Sequence, residues 1–307
     1  MEDRQTISAC VAVYNGADHI ERALRSILEQ TEPPDEILVV DDGSTDCSLD
    51  IASSFEGVRV IHQANGGIGA ARKRLAEGAK GDWIAFCDHD DWWEPSRLQV
   101  GRAFIEDPQV VLVYSGVWHE DALGNQNSPP LHARADAPSI EHVVPNPEDI
   151  WTSSTLLRRR AVLDAGNFNP RFRTGEDMLM WFQLGGLGKI VQIPERLVHM
   201  LRRADSTSSG NKKQFEHGVA LYEEEVLPNL DMWYSHVPKE RRDACKALLR
   251  AKLGYALAIL ATYEDLDGDH QSALSMYRRA AKLSPKSKGV WYRYIRGLMR
   301  IPVRPPS

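Results

Sequence analysis

Three carboxylates stand within four residues in Phe86-Cys87-Asp88-His89-Asp90-Asp91-Trp92-Trp93, at the end of the apolar run Asp82-Trp83-Ile84-Ala85-Phe86. Unpaired charge is costly to bury, so a strand that ends this way must keep its carboxylates in water or on a cation. Carboxylate oxygens suit Mg²⁺ or Mn²⁺, and one or two of them leave coordination positions open for substrate phosphates. The spacing therefore fits a divalent cation held against a diphosphate. It also fits a solvated turn in which Asp91 caps a helix starting near Pro95, because Asp favours caps and turns.

Such a cluster depends on the elements that carry it. Thr6-Ile7-Ser8-Ala9-Cys10-Val11-Ala12-Val13 reads as a buried strand, and His19 to Gln30 places Ile20, Ala23, Leu24, Ile27 and Leu28 at helical spacing. Glu36-Ile37-Leu38-Val39-Val40 is a second strand, ending in Asp41-Asp42-Gly43-Ser44-Thr45-Asp46. A helix from about Ser48, a strand Val58-Arg59-Val60-Ile61-His62, a helix from about Gly69 and the strand at Asp82 continue a β-α-β-α-β-α-β order. Continuous apolar strands alternating with helices predict an α/β fold. Its sheet is mostly parallel, helices cover both faces, and ligands bind at the carboxyl ends of the strands. Tyr14-Asn15-Gly16, Asp41-Asp42, Asn65-Gly66-Gly67 and Asp88-His89-Asp90 each follow an expected strand end, so four polar clusters converge on one edge.

Taken in order, Val13-Tyr14-Asn15-Gly16, Val39-Val40-Asp41-Asp42-Gly43-Ser44-Thr45-Asp46, Asn65-Gly66-Gly67 with Ala71-Arg72, and Asp88-His89-Asp90-Asp91 resemble successive signatures of family 2 glycosyltransferases. Gly175-Glu176-Asp177-Met178-Leu179-Met180-Trp181 is similar to the segment that supplies the catalytic base in that family. The resemblance covers roughly residues 5 to 210. It implies a GT-A fold, with a Rossmann-like sheet. It also implies metal-dependent, inverting transfer of a sugar from a nucleotide-diphosphate donor, a uridine or thymidine nucleotide, to a glycan or lipid-linked acceptor in surface polysaccharide synthesis.

By the same resemblance Asp42 accepts the imide N–H of the pyrimidine, and Asp41 is open to a loop-stapling role. Asp90 holds Mn²⁺ or Mg²⁺, and Asp88 meets the ribose or, through water, the metal. Val13, Tyr14, Asn15, Gly67, Arg72 and His89 join them as candidate nucleotide-sugar contacts. Gly67 lies in a glycine-rich helix opening whose N–H groups could face an anion. Arg72 reaches the nucleotide or phosphate, or forms a surface ion pair; His89 alternates with the carboxylates and points to the other side of the strand end.

Inverting transfer needs a base for the acceptor hydroxyl, and the motif assigns that role to Asp177. Glu176 and Asp177 equally suit a helix N-terminus. Trp181 shares a helix face with Asp177, as core or as an acceptor-stacking platform. Thr152 and Ser153, in Trp151-Thr152-Ser153-Ser154-Thr155, join Glu176 and Trp181 as acceptor or donor candidates. Leu201-Arg202-Arg203-Ala204-Asp205-Ser206-Thr207-Ser208 resembles a loop that closes over the donor. Ala204 stands where relatives often carry His, leaving Arg202 and Arg203 for the diphosphate.

Other classes fit less well. A dinucleotide-binding fold carries its glycine fingerprint after the first strand, and here the glycines follow the third. A sugar nucleotidyltransferase needs a Gly-rich, Arg/Lys-bearing loop where Tyr14-Asn15-Gly16-Ala17 stands, and a receiver domain needs its acidic pair after the first strand. A catalytically silent scaffold or sugar-nucleotide-binding protein acting through its tail is the other alternative; Asp42, Asp88, Asp90 and Asp177 argue for catalysis.

The 307 residues, 42% of them hydrophobic, suffice for two domains. We expect a catalytic domain over residues 1–212 and a helical region over 213–307. Leu266-Asp267-Gly268-Asp269-His270-Gln271-Ser272-Ala273-Leu274 through Leu283-Ser284-Pro285 resembles one tetratricopeptide-like helix pair, too little for a solenoid. No apolar run reaches transmembrane length, Met1-Glu2-Asp3-Arg4-Gln5 lacks signal-peptide character, and Cys10, Cys47, Cys87 and Cys245 lack paired spacing. The expectation is a cytoplasmic protein with reduced thiols and no nucleic-acid partner.

The net charge of −6 hides an asymmetry: nine basic residues and no acidic one follow Asp269, which leaves −15 for residues 1–269. Trp291-Tyr292-Arg293-Tyr294-Ile295-Arg296-Gly297-Leu298-Met299-Arg300 interleaves aromatic and basic residues as interfacial helices do. This basic tail is the candidate for peripheral contact with the inner face of a membrane; an ordinary packing helix is the other reading.

Overall fold

The computed structural model describes residues 4–121, 124–128, 131, 139–145, 147–202, 212–300 and 303. Arg203, Ala204 and Arg304 lie outside them. Two compact units are present, Met1–Ala204 and Asp205–Ser307.

The first unit runs β1 (Ile7–Val13), α1 (Ile20–Leu28), β2 (Glu36–Asp41), α2 (Ser48–Ser53), β3 (Val58–His62), α3 (Ile68–Gly78), β4 (Trp83–Asp88) and β5 (Trp92–Trp93). It continues with α4 (Arg97–Arg102), β6 (Val110–Glu120), α5 (Ser139–Val143), β7 (Thr155–Arg158), α6 (Arg159–Asp164), α7 (Glu176–Leu187) and β8 (Lys189–Leu201). A single 3₁₀ turn, Thr152–Ser154, leads into β7. The sheet order is β3-β2-β1-β4-β7-β6-β8-β5. β1 pairs in parallel with β2 and β4, β2 with β3, and β6 with β8; β7 and β5 run antiparallel to their neighbours. The mostly parallel GT-A-like sheet is thus present.

Residue character explains this order. All seven residues of β1 are buried, as a central strand covered on both faces requires. α1 buries Ile20, Ala23, Leu24 and Ile27, spaced i, i+3, i+4 and i+7, and these side chains join Val11, Val13, Trp83 and Leu98 in one apolar cluster. Each buried Ile, Leu or Val side chain removed from water contributes about 1.5–3 kcal/mol.

One expectation needs correction. Asp91 does not cap a helix near Pro95, because the short strand β5 follows it and α4 begins at Arg97. The Asp91 carboxylate is buried instead.

In the second unit every described element is helical. α8 (Lys212–Ala220) passes through a π-helical turn, Leu221–Val226, into α9 (Leu227–Trp233), followed by α10 (Lys239–Leu266), α11 (His270–Leu283) and α12 (Lys288–Leu298). Asp269 caps α11 by accepting from the Ser272 N–H at 3.0 Å, and Ser287 caps α12 by accepting from Val290 at 3.3 Å. Close packing rests on two glycines. A Cβ at Gly254 would stand 2.9 Å from the Ala280 carbonyl, and one at Gly297 would stand 2.8 Å from the Tyr277 ring. α11 and α12 thereby approach α10 and each other without a gap. No helix among the described residues is long and apolar enough to cross a membrane.

Candidate functional site

The loops after β1 and β2 are stapled to each other. Asn15 sits in the left-handed region at φ 49°, and its Oδ1 accepts the Thr45 N–H at 2.8 Å. The Asn15 N–H donates to Ser44 Oγ at 3.0 Å, Gly16 to Ser48 Oγ at 2.8 Å, and Ala17 to Asp46 at 3.1 Å. Tyr14, 48% exposed, is held at the rim by this lattice. Val13 is a buried strand residue whose carbonyl accepts from the Asp42 N–H, so its side chain offers nothing to a ligand.

Asp42 is buried, and its carboxylate accepts from Gln63 Nε2 at 2.7 Å, Gly66 N at 2.9 Å and Gly67 N at 2.8 Å. The residue expected to meet a pyrimidine is therefore also the staple of the 65–67 loop. Gly67, at φ 85°, lets that loop turn into α3. Asp41 is stapled as well, to His62 Nδ1 at 2.7 Å.

At the end of β4 the acidic cluster divides. Asp88 and Asp90 are half-buried, whereas Asp91 turns inward to the Ser153 hydroxyl. Burial and the neighbouring charges of Asp88 and Asp90 push the Asp91 carboxyl well above the usual carboxylate range. Ser153, expected to contact acceptor or donor, is instead fully buried and also takes the Asp88 N–H at 2.9 Å. Its role is to fix the turn. His89 does not simply project to the far side of the strand; its ring lies so close to Gly16 that a Cβ there would stand 2.2 Å from it. Beyond Asp91, Arg22 lies 3.5 Å over the Trp92 ring, which stacks on His199 of β8 at 4.9 Å. These contacts clamp the turn from its other flank.

The centre of the site is Arg72. Its buried guanidinium donates to Asp88 at 2.9 and 3.2 Å and to Glu176, and stands 3.9 Å from Asp177. Burial alone would lower the Arg72 pKa, but the charges of Asp88, Glu176 and Asp177 outweigh it and hold the pKa above its ordinary value. The converse holds at Glu176: burial first, and then the Asp177 charge, push its carboxyl from 4.5 to about 7 against the pull of Arg72. Asp177 accepts from Thr152 Oγ1 at 3.1 Å and from the Met178 N–H at 2.7 Å, and its side chain is 29% exposed. Gly175, at φ 85°, turns the chain into α7 so that both acids enter on its first turn.

A raised folded-state pKa means that Glu176 binds more protons folded than unfolded between about pH 4.5 and 7, so its contribution to stability is complete below that window and lost as pH rises through it. Glu176→Gln should flatten the fall in melting temperature between those limits. An unchanged slope in melts across this pH range would place the titration elsewhere.

Several expected contacts are not brought to this centre. Trp181 is fully buried with its Nε1 donating to the Ile150 carbonyl, so it is core rather than a stacking platform. Glu176 is buried and takes a hydrogen bond from Arg72. Arg202 donates to His119 Nδ1 at 3.0 Å, and both line a small cavity of about 190 Å³. Burial and the Arg202 charge hold the His119 pKa down at about 4. Arg97 had no signal in the sequence. Its guanidinium is buried over Trp93 and donates to the Ser153 and Thr155 carbonyls, positioning the turn that carries Thr152; burial lowers its pKa to about 9. The stapling hydroxyls were visible in Ser44-Thr45-Asp46, a run rich in groups that bond nearby backbone.

Among the described residues no three His, Cys, Asp or Glu side chains form a ready-made metal cage. Asp88 and Asp90, two hard oxygen donors on a partly open turn with Asp91 withdrawn, are a donor set that fits Mg²⁺ or Mn²⁺ completed by phosphate oxygens.

The chain is similar to EpsH of Bacillus subtilis, 32% identical over 230 residues, 71% of this chain and 67% of that protein. It is also similar to the teichuronic acid biosynthesis glycosyltransferase TuaG of the same organism, at 28% identity over 67% of this chain and 82% of that one. Crystal structures of Staphylococcus aureus TarS 1–349 share the fold. The complex with UDP superposes with a TM-score of 0.66 and that with UDP-GlcNAc with 0.69, at 19% and 18% identity, each covering 95% of this chain and 88% and 92% of TarS 1–349. The profile of Glycosyl transferase family 2 matches residues 8–166, which hold the stapled loops, Arg72 and the acidic turn, and the chain belongs to that family of glycosyltransferases.

Proposed function

We propose that this glycosyltransferase moves a sugar, with inversion, from a uridine or thymidine diphosphate donor to a glycan or lipid-linked acceptor in polysaccharide synthesis, using Mn²⁺ or Mg²⁺. The observation that carries this reading is the shared Arg72 guanidinium, which holds Asp88 at 2.9 Å and lies 3.9 Å from Asp177. The groups for the departing diphosphate and for the attacking hydroxyl thus meet at one centre. TarS complexes with UDP and UDP-GlcNAc, and the name of TuaG, support the donor and pathway class.

In this reading Asp177 Oδ2 takes the proton of the acceptor hydroxyl as its oxygen attacks the anomeric carbon from the side opposite the diphosphate. Thr152 and the Met178 N–H orient that carboxylate. Asp90 and Asp88 would hold the cation, which would supply neutralisation of the charge on the leaving diphosphate. Tyr14, Asn15 and the 65–67 loop shape the nucleotide side, and Arg72 acts by positioning carboxylates rather than by binding phosphate.

A thermal-shift screen of nucleotide-diphosphate sugars with and without Mn²⁺ tests this. A ligand at one hundred times its Kd adds about 2.7 kcal/mol to the native state. A uridine or thymidine diphosphate sugar should raise the melting temperature, more so with Mn²⁺, and the product should carry the inverted anomeric configuration. Stabilisation by guanosine or adenosine diphosphate sugars alone, or a product of retained configuration, would refute the proposal.

A further inference from the structure

α12 is apolar on two opposite faces. One face packs within the helical unit: Val290 is buried, Gly297 meets Tyr277, and Arg293 donates to Thr262 Oγ1 at 3.0 Å. The other carries Trp291, Tyr292, Ile295, Leu298 and, just past the helix end, Met299, all between 40% and 56% exposed. At about 100° per residue these positions fall within roughly 120° of one another, so they form a single stripe. Scattered exposed apolar residues need no explanation; five on one face of one helix do. Lys286, Lys288 and Arg300 flank the stripe and are exposed. No acidic residue follows Asp269, and nine basic ones do.

We infer that this face of α12 docks on an anionic lipid surface. The apolar stripe supplies burial at the headgroup boundary, and its Trp291 and Tyr292 rings keep their polar ends bonded to the Pro285 carbonyl and to Arg296, leaving their apolar faces outward. The flanking cations add attraction to anionic headgroups that salt screens. Charge argues against two such stripes meeting face to face. A second copy would set one basic face against another, whereas an anionic bilayer complements it. Docking needs no substrate, so it stands or falls apart from the donor and acceptor named above.

The test uses the full chain and vesicles of phosphatidylcholine, with or without phosphatidylglycerol. Co-sedimentation is expected with the anionic vesicles, falling as salt rises. Ile295→Glu with Leu298→Glu should weaken it by roughly tenfold or more, with the melting temperature and the mass by light scattering unchanged. If that pair lowers the melting temperature, Lys286→Gln with Lys288→Gln, at exposed positions, gives the same reading through a loss of anionic selectivity. Absence of binding, equal binding to neutral vesicles, or variants that sediment like the parent would overturn the proposal. So would a dimer in solution that the Ile295→Glu/Leu298→Glu pair dissolves, which would assign the stripe to a second copy.

Discussion

Asp177→Asn is expected to lower kcat for sugar transfer by roughly 10²-fold or more, the usual scale for a positioned general base. The amide oxygen can still accept from Thr152, now at 3.1 Å from the carboxylate, so the first turn of α7 should keep its place. Donor binding should survive, because the residue faces the acceptor in the proposed reaction. Steady-state kinetics together with donor-induced thermal shifts separate the cases. An unchanged kcat would reduce Asp177 to a helix-terminal acid, and a loss confined to donor affinity would move it to the donor side.

Asp90→Asn should be as severe, about 10²- to 10³-fold in transfer, since a cation at a developing phosphate charge supplies several kcal/mol. The turn is half-buried and fixed by Ser153 through Asp88 and Asp91, so the melting temperature should change little. Titrating Mn²⁺ against both proteins should show weaker metal binding in the variant, which needs more Mn²⁺ for its residual activity. Near-parental turnover, or a parent indifferent to EDTA, would remove the metal role from this motif.

The first four strands were legible because each is a continuous apolar run closed by a polar cluster, and a parallel strand buried on both faces leaves that trace. β6, β7 and β8 were harder to read. β7 is four residues long, and β8 extends to Leu201 only because β6 offers it a partner some eighty residues away in sequence, with register shifts on the way. At the site, the acidic cluster of Asp88, Asp90 and Asp91 was found by type and spacing, and Asp42 and Asp177 by resemblance to family motifs, but their partners were not. Arg72 and Glu176 are 104 residues apart, and nothing local to either states that they meet. Ser153 shows why hydroxyls mislead: a serine that lines a ligand pocket and one that anchors a buried aspartate look alike until the backbone is placed. Trp181 followed its helical periodicity into the core.

The guanidinium of Arg72 has a consequence for how this chain can be recombined. One arginine on α3 satisfies an acid from β4 and another from α7, so those three positions form a matched set spread across more than one hundred residues. A chimera that imports α3 from a relative without an arginine at 72 leaves Asp88 and the buried Glu176 without the cation they share. Removing one partner of such a pair typically costs 3–5 kcal/mol. Exchangeable blocks in this enzyme must therefore be cut so that residues 72, 88 and 176 come from one parent.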